Sequence, residues 1–187
     1  IPLIDIIGAP RFQERYELEV SDLYDADDQT TYQQLLLRYA NHIGKPIAGE
    51  KSPRNEFFYD NILQFLPDSD VFFLHMVRNP FDVLASFKNA PFRGSVATDE
   101  ATIETISHEW ARSLSIGSVR AALNPGRYRL VIFETLTSDT DAEVASICQF
   151  LEVDSEERRM QEMSDYAGHD DNTSFRGVDK ADRGSTR

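Results

Sequence analysis

One stretch, VFFLHMVRNPFDVLASFK at Val71–Lys88, constrains the fold of this chain more than any other. Its first part, Val71–Val77, has the length of a strand and is apolar on both faces, which is typical of a parallel sheet covered by helices on both sides. Asn79 suits the N-cap and Pro80 suits the first position of a helix. The stretch therefore predicts a buried strand, a tight turn and a helix.

Arg78 stands at the carboxyl end of the predicted strand, and Ser86 lies within the predicted helix. Open α/β sheets place ligands at the carboxyl ends of their strands. A guanidinium fork beside a helix N-terminus and a hydroxyl suits an anionic group. The alternative is structural: Arg78 caps a helix or pairs with an acid, and Ser86 is a solvated helix residue.

The same stretch resembles the 3′-phosphate-binding segment of sulfotransferases that use 3′-phosphoadenosine 5′-phosphosulfate (PAPS). In that family an Arg-x-Pro turn is followed by a Ser at the spacing of Arg78 and Ser86. The resemblance implies that these two residues bind the 3′-phosphate. It also implies a three-layer α/β/α fold with a central parallel sheet, similar to P-loop NTPases, as in bacterial and Golgi-type carbohydrate sulfotransferases.

A second run, Glu50–Pro53, reads Glu-Lys-Ser-Pro and resembles a run found in many carbohydrate sulfotransferases. The resemblance implies that Lys51 is catalytic and stabilises charge on the bridging oxygen as the bond to the nucleotide breaks. A compact ammonium with several donors suits that role. The alternative is a surface lysine before a turn.

The first residues, Ile1–Arg11, read as a strand that ends in a glycine turn. They resemble the strand before the phosphosulfate-binding loop, which implies that Gly8 and Arg11 bind the nucleotide. The family continues with small residues, whose backbone N–H groups can approach an anion. Here Phe12, Gln13 and Glu14 follow, so we expect that the sequence omits a segment after Arg11. A true deletion is the alternative.

The activity implied by the resemblance is transfer of a sulfuryl group from PAPS to a hydroxyl or amine, which releases 3′-phosphoadenosine 5′-phosphate (PAP) and requires no metal. The acceptor is a small molecule, a carbohydrate or a peptide. A base must reach the acceptor proton, and the sequence does not choose among its carboxylates and histidines. The candidates are Asp5, Glu14, Glu17, Glu50 and His42.

Two other functions are alternatives to a sulfotransferase. A P-loop nucleotide kinase requires Gly-x-x-x-x-Gly-Lys-Ser/Thr after the first strand, and the chain contains no such run. A degenerate nucleotide-binding or interaction module without catalysis is favoured by the interrupted loop after Arg11. An intact small-residue loop in the encoding gene would favour the enzyme over the module.

Composition narrows the partners. The net charge is −13 at pH 7, which disfavours nucleic acid and a long polyanionic acceptor. No run has the apolar length of a transmembrane helix. Cys148 is the only cysteine, so no internal disulfide is expected. We expect one cytoplasmic sulfotransferase domain over 1–187, with further residues after Arg11 and at both termini, and leave the oligomeric state open.

Periodicity predicts further elements around these motifs. A capping box of Thr30 and Gln33 predicts a helix start, and Gly44 its end. His75 and Trp110 are expected to pack in the core, and an adenine contact is the minor alternative for Trp110. The C-terminal residues, Asn172–Arg187, resemble a loop that occurs late in the sequences of the family. The resemblance implies that part of this segment closes over the nucleotide, with Arg176 or Arg183 near a phosphate. The remaining predicted elements are helices at Asn55–Leu66 and Glu100–Ala122, a strand at Tyr128–Phe133 and a helix through Val144, Ile147, Cys148 and Leu151.

Overall fold

The computed structural model describes residues 18, 20–23, 26–67, 69–89 and 100–154. The predicted first strand, with Gly8 and Arg11, and the tail from Asn172 lie outside these residues. The chain divides into two compact units, Ile1–Val71 and Phe72–Arg187. The Lys51 run belongs to the first unit, and the Arg78 turn belongs to the second.

The first unit is helical where it is described. It contains a 3₁₀ turn at Ser21–Leu23, helix α1 at Asp28–His42, a second 3₁₀ turn at Asn55–Phe58 and helix α2 at Tyr59–Phe65. The helix predicted over Asn55–Leu66 is therefore split between a 3₁₀ turn and α2. The hydrophobic core of the unit lies against helix α1, where Leu35 packs with Leu18, Val20 and Leu23.

The predicted start of α1 is wrong. Asp27, not Thr30, is the N-cap: its carboxylate accepts hydrogen bonds from the Thr30 N–H at 2.8 Å and the Thr30 hydroxyl at 3.0 Å. Asp is at least as good an N-cap as Thr, and the earlier Asp captures the free N–H groups first. Gln33 instead donates to the carbonyl of Phe65 at 2.7 Å, which joins α1 to α2. The predicted end is confirmed, since Gly44 has φ +63°.

The second unit is a mixed α/β structure built on a parallel pair of strands. Strand β1 is Phe73–Val77 and strand β2 is Tyr128–Ile132, and Phe73 pairs with Tyr128 at one end while Val77 pairs with Ile132 at the other. In the described part of the chain these two strands form the whole sheet. The helices are α3 at Pro80–Asn89, α4 at Glu100–Leu123, α5 at Phe133–Ser138 and α6 at Thr140–Phe150.

Two successive residues of β2, Arg129 and Leu130, contact different helices. Leu130 approaches Gly117 of α4 so closely that a Cβ at Gly117 would lie 2.8 Å from Leu130 Cδ2. Arg129 donates to the Ser146 carbonyl at 2.8 Å and to Glu143 Oε1 at 2.8 Å, both on α6. Because successive side chains of a strand point to opposite faces, α4 and α6 lie on opposite sides of β2.

The predicted strand and helix around Arg78 are confirmed in type and order, although β1 begins at Phe73 instead of Val71. One face of β1 is covered through His75, while Leu74 and Met76 on the other face are 40% and 50% exposed. The full three-layer sandwich with a larger central sheet therefore stays a prediction. Cys148 is buried at 7% exposure, as expected for a small core residue.

Candidate functional site

The turn after β1 has the geometry that its sequence predicts. Asn79 caps α3: its side-chain Oδ1 accepts a hydrogen bond from the Phe81 N–H at 2.9 Å, and its carbonyl accepts from the Val83 N–H at 3.1 Å. Pro80 occupies the first helical position, where its missing N–H costs nothing. The strand end therefore passes at once into a helix N-terminus, which is a favourable environment for negative charge.

Arg78 keeps most of its hydrogen-bonding capacity. Its guanidinium carbon lies 4.8 Å from the centroid of the Phe133 ring, a cation–π contact. Its Nε lies 3.9 Å from Asp82 Oδ2, which is beyond hydrogen-bond distance. That Nε is shielded from solvent and has no hydrogen-bond partner among the described residues. Packing against Phe133 thus positions the guanidinium, and no acceptor in the described part of the chain takes a hydrogen bond from its Nε.

Ser86 lies on α3, one turn beyond Asp82. Residues four apart lie on the same side of a helix, so the Ser86 hydroxyl follows Asp82 along the side on which Asp82 approaches Arg78. The side chain is half-buried and makes no hydrogen bond within the described part of the chain. The two residues predicted to bind the 3′-phosphate thus belong to one short strand–turn–helix segment.

Two side chains contact the backbone of this turn: Trp110, which the sequence predicted to pack in the core, and Glu134, which the sequence analysis did not single out. The Trp110 Nε1–H donates to the Arg78 carbonyl at 2.9 Å, and the Asn79 N–H donates to Glu134 Oε1 at 2.8 Å. Trp110 is thus a hydrogen-bond donor to the turn as well as a packed ring. The sequence does hold one signal for the Glu134 contact. Glu134 lies two residues after the end of β2, and Asn79 lies two residues after the end of β1.

Glu134 adds negative charge to the turn. The hydrogen bond from the Asn79 N–H, the Glu134 N–H itself and the positive charge of Arg78 lower the pKa of the Glu134 carboxyl, in spite of partial desolvation. The group is therefore ionised at neutral pH. Together with Asp82 it sets two carboxylates against one guanidinium, so the local field does not by itself favour a dianion.

His75 lies beneath the turn and is a packed core residue, as predicted. Its Nδ1 is 2.9 Å from the Tyr128 hydroxyl and its Nε2 is 3.1 Å from the Ser113 hydroxyl. These bonds join β1, β2 and α4 through one buried ring. Since both ring nitrogens are engaged in the core, His75 is a poor candidate for an acceptor base.

Lys51 lies in an exposed loop of the first unit. Its neighbour Glu50 does not pair with it: the Glu50 carboxylate accepts hydrogen bonds from the Ser52 hydroxyl and from Asn55 Nδ2, the latter at 2.6 Å. The Lys51 ammonium makes no ion pair or hydrogen bond within the described residues. The Glu-Lys-Ser-Pro run is therefore folded around Glu50 and leaves the lysine directed to solvent.

The candidates for the acceptor base lie in different environments. Glu50 is held by Ser52 and Asn55, and His42 is exposed at the end of α1. Asp5, Glu14 and Glu17 lie outside the described residues, so the base remains unassigned.

Over the ranges that the structure describes, no group of three or more His, Cys, Asp or Glu side chains could hold a metal ion.

A shallow open depression of about 420 Å³ lies along one exposed side of α4. All of its lining residues come from that helix and include His108 and Glu104, whose side chains are 3.9 Å apart. Neither Arg78 nor Ser86 lines it. The depression is thus not part of the candidate site.

The described part of the second unit is a mixed α/β structure in which strand β1 passes directly into a capped helix N-terminus. A model described as the Sulfotransferase family matches residues 6–157, which is most of the chain, so the chain belongs to the sulfotransferase family and is a transferase. The match includes Gly8, Arg11, Lys51, Arg78 and Ser86. Membership implies the P-loop-like α/β fold of that family.

No curated protein and no solved structure matches the chain. Of the helices in the described ranges, none is both long and apolar enough to cross a membrane.

Proposed function

We propose that this protein transfers a sulfuryl group from PAPS to a hydroxyl or amine of a small-molecule, carbohydrate or peptide acceptor and releases PAP. Family membership supports transfer of a sulfuryl group. The observation that carries the nucleotide assignment is the Arg78 turn, where a guanidinium with an unsatisfied Nε stands at the start of a capped helix.

The residues of the turn fit a phosphate. Arg78 supplies a planar fork that matches two phosphate oxygens, and Ser86 supplies a hydroxyl one turn along α3 from Asp82. Asp82 opposes the anion, but its side chain is 52% exposed and its ion pair with Arg78 spans 3.9 Å, so it can rotate into water at little cost. In this proposal Arg78 and Ser86 bind the 3′-phosphate, which distinguishes PAP from adenosine 5′-phosphate.

The roles of the other candidate residues are proposed from the negative charge of the nucleotide and of the leaving phosphate oxygen. Transfer breaks the bond between the sulfuryl group and the 5′-phosphate oxygen, forms a bond to the acceptor and moves the acceptor proton to a base. Lys51 is proposed to stabilise the negative charge that develops on the leaving phosphate oxygen. Gly8 and Arg11 are proposed to bind the 5′-phosphosulfate end.

The transfer assay uses sulfur-labelled PAPS, protein made from the complete gene and a panel of phenols, alcohols, amines, sugars and peptides. Lys51→Gln should lower kcat by about a hundredfold or more, because a donor aimed at developing charge is lost. The matched control is Lys45→Gln, an exposed lysine of the same unit, which should retain full activity. An unchanged kcat in Lys51→Gln would remove Lys51 from the mechanism.

The second candidate is a module that binds the nucleotide without catalysis. The absence of small residues after Arg11 favours it, because the backbone cradle for the phosphosulfate is then incomplete. Selective PAP binding with no labelled product from any acceptor would favour this module. Labelled product that depends on Lys51 would exclude it.

A further inference from the structure

We propose that Trp110 and Glu134 are positioning residues that clamp a single peptide group and thereby aim Arg78 at its phosphate; the ligand part of this inference rests on the proposed function. The Arg78 carbonyl, which accepts from Trp110, and the Asn79 N–H, which donates to Glu134, belong to the same peptide bond. The carbonyl and N–H of a trans peptide point in opposite directions. Trp110 and Glu134 therefore hold the group from two sides.

The clamp is needed because the backbone ladder stops short of this peptide. The last paired residues are Val77 and Ile132, and β2 turns into α5 at Phe133. The carbonyl and N–H of a peptide group beyond the ladder must bond to side chains or to water; the bond to Trp110 is part-buried and the bond to Glu134 is exposed. Trp110 of α4 and Glu134 of α5 make these bonds, in place of a further pair of strand residues.

The clamp also acts on the Arg78 side chain. Within the described ranges the Arg78 Nε has no hydrogen-bond partner to fix its direction, and the guanidinium lies against the Phe133 ring, next in sequence to Glu134. Rotation of the Arg78–Asn79 peptide would move the guanidinium and, because Asn79 caps α3, would also tilt the helix that carries Ser86. A site that must meet a phosphate with two groups depends on such fixed supports.

The charge of Glu134 allows the positioning role to be separated from electrostatics. The carboxylate holds the Asn79 N–H, yet as an anion near Arg78 it repels an incoming phosphate. Glu134→Gln keeps an oxygen acceptor for the N–H and removes the charge. Glu134→Leu removes both. If positioning dominates, only the leucine variant weakens phosphate binding.

The test is titration calorimetry of PAP and, separately, adenosine 5′-phosphate into the full-length protein. Trp110→Phe and Glu134→Leu should each weaken PAP binding about tenfold, which is the loss of one hydrogen bond to the support. Their affinity for adenosine 5′-phosphate, which has no 3′-phosphate, should stay within about twofold of the original. Glu134→Gln should bind PAP at least as tightly as the unaltered protein.

The control is Asp141→Asn, which makes the same change of charge at an exposed position of α6 and should alter neither affinity. Equal weakening of both nucleotides in Trp110→Phe and Glu134→Leu would show a merely structural role and overturn the proposal. Unchanged PAP affinity in those variants, or loss of PAP binding in Glu134→Gln equal to that in Glu134→Leu, would overturn it as well.

Amide hydrogen exchange of Asn79, measured by NMR without nucleotide, tests the clamp independently. Glu134→Leu should speed exchange of the Asn79 amide, while Glu134→Gln and Asp141→Asn should leave it protected. Unchanged exchange in Glu134→Leu overturns the clamp. If the unaltered protein binds no PAP, the proposed function and the phosphate-aiming role fall together, and exchange alone then decides whether the clamp exists.

Discussion

At the scale of single residues, a glycine of α4 determines how closely that helix packs on the sheet beside the site. Gly117 is buried where α4 crosses the sheet. A Cβ there would overlap the His75 ring and approach Leu130. His75 cannot move aside easily, because Tyr128 and Ser113 hold both of its nitrogens. The glycine thus sets the distance between α4 and β1.

Gly117→Ala should therefore destabilise the protein. Overpacking of a fixed core costs about 1–3 kcal/mol, which exceeds the gain of up to about 1 kcal/mol from better helix propensity. The free energy of unfolding in urea measures the difference. Gly126→Ala is the control, since a Cβ at Gly126 meets no atom within 4 Å. An increase in stability for Gly117→Ala would show that the α4 contact is loose.

The N-cap of α1 gives a pH-dependent prediction. Hydrogen bonds from the Thr30 N–H and then from the Thr30 hydroxyl lower the pKa of Asp27 below its ordinary value of 3.8. The ionised form is favoured in the folded state, so this stabilisation is complete above that value and is lost as the pH falls through the lower folded pKa. Asp27→Asn can still cap the helix but does not titrate.

The difference in melting temperature between the unaltered protein and Asp27→Asn should therefore be constant from neutral pH to about pH 5 and should narrow below about pH 4. Thermal unfolding followed by circular dichroism measures it. A difference that is independent of pH down to about pH 3 would mean that the Asp27 charge plays no part in capping.

At the scale of elements, the side chain of Arg129 links α6 to the sheet. Arg129 of β2 donates to the carbonyl and the hydroxyl of Ser146 and to Glu143. The side chains of Arg129 and Glu143 are 23% and 15% exposed. Water therefore competes weakly for these bonds, and their loss leaves acceptors without partners.

Arg129→Met, which keeps the apolar stem, should destabilise the protein by about 2–4 kcal/mol. Adding Glu143→Leu should recover part of that loss, because the carboxylate left unpaired is then absent. A double-mutant cycle of urea unfolding measures the coupling. Additive effects would show that Arg129 stabilises α6 through Ser146 alone.

The strand, turn and helix around Arg78 could be predicted because Asn79 and Pro80 act within a few residues of where they stand. Trp110 and Glu134 meet the same turn from 32 and 55 residues away, and local patterns carry no such information. The error at α1 was also local, since two possible capping residues three positions apart competed and the earlier one, Asp27, is the N-cap.

At the scale of the whole molecule, family membership and the parallel β1–β2 pair agree on an α/β transferase. The apolar run of β1 predicted burial on both faces, whereas in the described residues Leu74 and Met76 on one face are exposed. Which helix covers which face of β2 depends on contacts such as that between Arg129 and Glu143, which the strand pattern does not show. The single-domain organisation and the roles of Gly8, Arg11, Lys51, Arg78 and Ser86 stay predictions. The proposed nucleotide specificity depends on whether the Arg78 turn recognises a 3′-phosphate.

The most direct measurement is calorimetric titration of PAP and of adenosine 5′-phosphate into the complete protein and into Arg78→Met. We expect PAP to bind at least about tenfold more tightly than adenosine 5′-phosphate, because a bidentate charged contact is worth that much. Arg78→Met should abolish the difference and leave adenosine 5′-phosphate binding intact. Equal affinities in the unaltered protein, or no PAP binding at all, would contradict the assignment of this turn as a phosphate site.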